Sequence, residues 1–210
     1  MTEQLVETQM NYLKQIYGRG IDDLDRWILA RREGNAFYFR AFGRDCRLTS
    51  QGIFMDGRQD TDWAGVLVSI YALNAGEKEV RLYPLQSFKE IGGTVANSRN
   101  SWTSVGQAEL AERIQDIQKF KDRIIDVFDG HDNRGREGAR GDFSFTLYPL
   151  PKVPMFYNFY LPDDEFAASV TGLIASNARA FLPLDTIGDV AFVTAKAVVE
   201  KIQVFKLEKE

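Results

Sequence analysis

The sequence predicts an α+β fold, an antiparallel sheet packed against several helices in a single compact domain. Three observations carry this. Residues 143–148 and 155–161 alternate in polarity, with Phe143, Phe145 and Leu147 in one run and Met155, Tyr157, Phe159 and Leu161 in the other, the period of a half-buried strand. Residues 36–56 hold short strand-like runs broken by Gly43 and by Ser50-Gln51-Gly52, the text of a hairpin or meander. Stretches near 62–75, 104–128 and 163–182 space their apolar residues at three and four, as helices do.

Taken in order, Leu5, Val6, Met10, Leu13 and Tyr17 form one stripe of an opening helix ended by Gly18 and Gly20. Asp22 or Asp23 caps a second helix carrying Leu24, Trp27, Ile28 and Arg31, with Gly34 closing it. Residues 1–35 therefore read as an N-terminal helical segment ahead of an α+β domain over 36–205. Strands are expected at 36–42 and 44–49. Their aromatic and arginine interleaving, with Arg40, Arg44 and Arg47, suits core-facing sheet residues better than a base-stacking platform. Asp60, Thr61 or Asp62 caps a buried helix through Val66, Leu67, Ile70 and Tyr71, and Gly76 stops it.

Pro84 interrupts a short extended piece, Ser87 to Glu90 make one turn, and Gly92-Gly93 break the chain. A polar loop over 97–103 leads into one long helix, 104–128, with Leu110, Ile114, Ile117 and Ile124 on its apolar side. The chain from Asp129 to Asp142 is rich in glycine and charge and reads as a mobile loop. Pro149, Pro151 and Pro154 then remove backbone donors, which suggests a stiff connection near a sheet edge with Lys152 held outward. Pro162 and Asp163 open a helix through Phe166, Val170, Leu173, Ile174, Asn177 and Phe181, in which Asp163, Asp164 and Glu165 serve the N-terminal dipole better than they serve a cation. A last helix uses Ile187, Val190, Ala191, Thr194, Val198 and Ile202 before the tail frays.

Composition excludes several classes. A formal charge of -4 and a pI near 5.2 argue against general attraction to nucleic acid or anionic lipid, and no dense basic run appears. No apolar run approaches the roughly 20 residues of a membrane span. The N-terminal residues lack the basic start and apolar middle of a secretory signal, so the chain reads as cytoplasmic. One cysteine, Cys46, supports no internal disulfide, and one histidine, His131, supports no multi-histidine metal site. Cys46 is expected as a small residue filling a strand face.

The glycine-arginine loop fails two motif tests. As a calcium loop it places Arg134 where the turn glycine belongs. As a phosphate cradle it follows a helix and lacks the Gly-Lys-Ser/Thr ending. As a lid its Arg134, Arg136 and Arg140 suit an anion, against the simpler reading of a solvated surface loop. The candidate ligand-binding residues are Arg136, Arg140, Tyr148, Lys152 and Tyr160. They fit a binding or accessory module for a small anionic ligand or a partner protein, with the cofactor open. An enzyme using carboxylates and Lys or Arg with Mg²⁺, from Asp142, Lys152, Asp163 and Asp185, is the alternative, and a structural oligomer subunit is a third. No nucleophile elbow or histidine dyad is present.

The runs PLPKVPM, YLPDDEF and LIASNARAFLPLD, preceded by FGRDCRLTSQG, VSIYALNAG and YPLQSFKEIGG, resemble the blocks of the domain-of-unknown-function 3786 family, found mostly in anaerobic bacteria and archaea, over roughly Ala36 to Val199. The family usually reads Leu-Phe-Asp where this chain has Leu173, Ile174 and Ala175, and often has Glu at the position of Asp185. Some relatives are joined to iron-sulfur segments or associated with corrinoid and one-carbon metabolism, but no cysteine cluster here matches them. The resemblance implies no reaction, cofactor or catalytic residue.

Overall fold

The structure, a computed structural model, describes residues 2–92 and 102–208. Its architecture is α+β with two five-stranded antiparallel sheets where the sequence suggests one. The first sheet is a meander of β1 (Arg31–Glu33), β2 (Ala36–Ala41), β3 (Arg44–Thr49), β4 (Gly52–Met55) and β5 (Arg58–Gln59) in chain order. Its alternation sends Phe37, Cys46, Leu48, Ile53 and Met55 into the core. Cys46 is buried there as expected, and burial pushes its thiol pKa up, away from reactivity. Arg31 stands in β1 instead of a helix. The preceding α2 (Leu24–Ile28) stops after five residues because Leu29 turns left-handed at φ 55°, and Gly34 forms the β1–β2 turn.

A buried polar tie fixes this sheet to two helices, α1 (Thr2–Gly18) and α3 (Trp63–Leu73). The α3 residue at the N-cap position, Asp62, makes no side-chain capping bond; the cap comes from Asp60, whose Oδ1 accepts from the Asp62 and Gly65 amides at 3.1 and 2.9 Å. The Asp60 carbonyl accepts from Gln9 Nε2 at 3.2 Å, and Gln9 Oε1 accepts from the Ile53 amide at 3.1 Å, so one residue of α1 joins β4 to the head of α3. A Cβ at Gly65 would lie 2.3 Å from Gln9 Nε2 and 2.7 Å from Asp60 Oδ1, so both side chains of the tie would have to move.

The second sheet runs β6 (Gln86–Ser87), β10 (Ser169–Ile174), β9 (Val153–Tyr160), β8 (Phe143–Leu150) and β7 (His131–Asp132). Its centre is the β8–β9 hairpin, paired from Phe143↔Phe159 to Leu147↔Met155 and, after a bulge, Leu150↔Val153. The prolines thus lie at the closing end of a hairpin of two inner strands, beyond the residues paired with β7 and β10. Pro149 sits inside the bulge, where the ladder needs no N–H, and its carbonyl accepts from the Phe42 amide at 2.7 Å, joining the two sheets. Lys152 is not held outward. It is 8% exposed in the hairpin turn, and its Nζ donates to the Lys78 carbonyl at 3.0 Å.

Two helices expected from the sequence are corrected. Residues 169–174 form β10, with Val170, Gly172 and Ile174 buried against exposed Ser169 and Thr171, and Ala178–Ala180 form a single 3₁₀ turn. Asp163 caps no helix; its Oδ1 closes a tight turn by accepting from the Glu165 and Phe166 amides. The long helix is three short ones, α5 (Trp102–Glu112), α6 (Ile114–Lys119) and α7 (Lys121–Val127), although Leu110, Ile114, Ile117, Phe120 and Ile124 still share the buried stripe. Ahead of them α4 (Phe88–Gly92) continues directly from β6. The Gly92-Gly93 break and most of the expected 97–103 loop fall outside the described residues, as does the end of the tail. The last helix, α8 (Leu184–Leu207), packs on α3, α5 and the second sheet's helical layer, and its Ile187, Val190, Val198 and Ile202 close one continuous core.

The Asp60 tie gives a stability test. Asp60→Ala strands the Gly65 and Asp62 amides, and urea unfolding is expected to show a loss of about 2–4 kcal/mol, with Asp60→Asn losing less because one acceptor oxygen remains. A loss under about 0.5 kcal/mol, the scale of an ordinary surface change, contradicts the tie.

Candidate functional site

The strands β8 and β9 are buried on both faces. One face, with Phe145, Leu147, Met155, Tyr157 and Phe159, enters the apolar core. The opposite face carries Ser144, Thr146, Phe156 and Asn158, and the chain from 133 to 142 lies across it. Two buried asparagines hold that chain down. Asn133 donates through Nδ2 to Ser144 Oγ at 3.1 Å and accepts at Oδ1 from Thr146 Oγ1 at 2.9 Å, while its amide donates to the Ser144 carbonyl. Asn158 Oδ1 accepts from the Arg140 amide at 2.9 Å, and its Nδ2 donates to the Gly138 carbonyl at 3.1 Å.

The far end of the loop is equally fixed. The Asp142 amide donates to the Phe159 carbonyl at 2.9 Å, and Asp142 Oδ2 accepts from the Leu161 amide at 2.7 Å. This close approach needs Gly141, which has φ +74° and would place a Cβ 2.3 Å from the Phe159 carbonyl oxygen. The expected mobile loop is therefore a hydrogen-bonded cover, further tied by Tyr83 Oη donating to the Glu137 carbonyl.

Where the short β7 ends, the loop, α7 and the free end of β8 enclose an open groove of about 220 Å³. Lys121, Asp132, Arg134, Arg140, Asp142 and Phe143 line it. The two acids are already engaged. Lys121 Nζ meets Asp132 Oδ2 at 2.5 Å and holds that carboxyl below its usual range, while Asp142 receives the Leu161 amide. Arg134 and Arg140 form no ion pair among the described residues. Phe143 is fixed by stacking on Phe159, centroids 4.6 Å apart and planes within 5°.

Of the five ligand-binding candidates from the sequence, Arg140 lies in this groove. Arg136 is exposed on the same loop and acts electrostatically on His131 and Tyr148, whose rings are 6.0 Å apart. Tyr148 lines a separate hollow of about 260 Å³ with Leu29, Phe39, Arg40, Asp129 and Pro151. Tyr160 ends β9 beside Gly141, and Lys152 lies at the opposite end of the hairpin. Lys121, Asp132 and Phe143 join the site unannounced by spacing, since they come from three different elements. Asn158 did carry a signal, as the one amide in the apolar run FYNFY.

The alternative centre built on Asp142 and Lys152 is not assembled. They flank an eight-residue strand, a separation of about 25 Å at 3.3 Å per residue. Among the described residues no three His, Cys, Asp or Glu side chains are grouped to share a metal ion. No helix of the described residues is long and apolar enough to cross a membrane.

A family model described as a domain of unknown function (DUF3786) matches residues 22–197. The chain belongs to that family. No curated protein and no solved structure matches it. The DUF3786 match takes in every residue of the groove, and the structure explains some of its text. In LIASNARA, Asn177 accepts from the Arg81 amide and donates to the Glu79 carbonyl, both at 2.8 Å, and Ser176 Oγ donates to the Arg81 carbonyl, so this motif pins residues 79–81.

The groove's neighbour His131 sets a pH dependence. Its Nε2 is buried without a hydrogen-bond partner among the described residues, and desolvation, then the charge of Arg136, lowers its pKa against the opposing pull of Asp132. A depressed histidine contributes stability above its unfolded pKa and loses it as pH falls through the folded value. Urea midpoints should therefore drop between about pH 7 and about pH 5, and His131→Gln should flatten that drop. An equal drop in the variant contradicts the assignment.

Proposed function

We propose that this DUF3786 protein is a binding module for a small anionic ligand, held in the groove between the glycine-arginine loop and the start of β8. The observation that carries the reading is the pair of guanidiniums, Arg134 and Arg140, that line one groove and form no ion pair among the described residues, Arg134 acting on Asp132 only as a nearby charge. Guanidinium groups bind carboxylate and phosphate through paired N–H donors, and the bond strengthens as water is excluded.

Preorganisation supports the same reading. A loop that had to order around its ligand would lose affinity to that ordering, whereas this one is already fixed by Asn133, Asn158 and the Asp142 turn. The Lys121–Asp132 pair adds a boundary that is neutral overall, and Asp142 offsets one of the two guanidiniums, so an anion meets one net positive charge with Phe143 beside it. A planar or ring-bearing anion uses both features.

The experiment is a thermal-shift panel of nucleoside phosphates, acyl-CoA compounds, folates and corrinoids, followed by titration of whichever stabilises the protein. A ligand at about 100 times its Kd adds about 2.7 kcal/mol of stability. The combined Arg134→Ala and Arg140→Ala substitution should weaken binding at least about tenfold, the scale of one lost charged hydrogen bond, with urea stability unchanged. Absence of any stabilisation across the panel, or unaltered binding in the double variant, contradicts the proposal.

A further inference from the structure

The outward face of the first sheet is organised across the strands in a way no single stretch of sequence displays. Its register places Arg31 opposite Tyr38, Tyr38 opposite Arg47, Arg47 opposite Phe54, and Phe54 opposite Gln59. One residue from each of the five strands thus forms a single row, alternating cation and ring before ending in an amide. At a strand spacing of about 4.8 Å the row is about 19 Å long.

This row faces away from the core. Phe37, Leu48 and Ile53 are buried on the inner face, whereas Tyr38 and Phe54 neither belong to the core nor pack against it. Arginines lie over both rings, Arg31 at 4.8 Å from the Tyr38 centroid and Arg47 at 4.2 Å from that of Phe54. The carboxylates stand in flanking rows: Glu33 pairs with Arg31, Asp45 lies 3.7 Å from Arg40, and Asp56 accepts from the Asp45 amide. Arg47, at the middle of the row, makes no ion pair and no side-chain hydrogen bond among the described residues.

We infer that this face binds single-stranded nucleic acid. Rings and guanidinium planes on an open sheet accept unpaired bases by stacking, and an uncompensated arginine between them meets the phosphates. The length of the row selects a polymer, since about 19 Å exceeds what one nucleotide covers. An acidic peptide would answer Arg47 and leave the rings unused, and a duplex hides the base faces that the rings would stack on. The overall acidity of the chain, which argues against general attraction to nucleic acid, leaves a local surface of this kind intact because the row itself holds two arginines and no acid, and Glu33 and Asp45 beside it face Arg31 and Arg40.

Fluorescence anisotropy of the full chain with labelled oligo-dT and oligo-U of about 12 nucleotides, at about 50 mM salt, tests the inference. Saturable binding that weakens with added salt is expected. Arg47→Ala and Phe54→Leu should each reduce affinity about five- to a hundredfold, the effect of losing one stacking partner. Phe54→Leu keeps an apolar side chain, and matched circular dichroism and urea midpoints show that the fold is retained. The Arg134→Ala, Arg140→Ala variant should bind oligonucleotide normally, which separates this surface from the anion groove. No binding by either oligonucleotide, binding unchanged by both sheet variants, binding lost only in the groove variant, or equal binding of a duplex each overturns it.

Discussion

The β8–β9 hairpin is buried on both faces, and that constraint organises the second half of the molecule. A strand pair with one apolar face needs one covering layer, and here the apolar core shared by the helices and the first sheet supplies it. The second face carries Ser144, Thr146 and Asn158, groups that cannot be left dry without partners. The cover over them must therefore be polar and must fit in register. Asn133 and Asn158 meet that need by bonding to backbone and hydroxyl groups on both sides of the contact, and in doing so they fix the loop that carries Arg134, Arg136 and Arg140. The folding requirement and the geometry of the groove are one arrangement.

Much of this was legible in the sequence. The alternation of 143–148 and 155–161, the meander of 36–56 and the helices at 63–73 and 184–207 all follow from period alone. The failures have identifiable causes. Residues 163–182 contain apolar side chains that coincide with a helical stripe, but Gly172 and the β-branched Val170 and Thr171 suit a strand, and β9 supplies the ladder that decides it. The breaks at Arg113 and Phe120 fall in a stretch without proline or glycine, so no local residue announces them. The prolines of the hairpin each lack a donor, and they stand where a bulge and a turn at the end of the ladder make that lack harmless.

The site was legible only in part. The glycine-arginine loop is visible as composition, and Arg140 belongs to the groove it forms. Lys121, Phe143 and the pairing that engages Asp132 depend on tertiary approach between α7, β7 and β8. The aromatic text of β2 to β4 divides in the same way: Phe37 and Phe39 turn inward, while Tyr38 and Arg47 turn outward and meet Phe54 across the strands. Period two tells that the faces differ, and register alone tells which residues become neighbours.

The glycine-arginine loop is held by its hydrogen bonds as a wall of the groove before any ligand arrives. Native-state amide hydrogen exchange across residues 133–142 of the free protein tests this most directly. The amides of Asn133, Arg140 and Asp142, which donate to the Ser144 carbonyl, Asn158 Oδ1 and the Phe159 carbonyl, should exchange with protection approaching that of the hairpin itself. Exchange of these three amides at the rate of an unstructured chain, while β8 and β9 remain protected, would contradict the account.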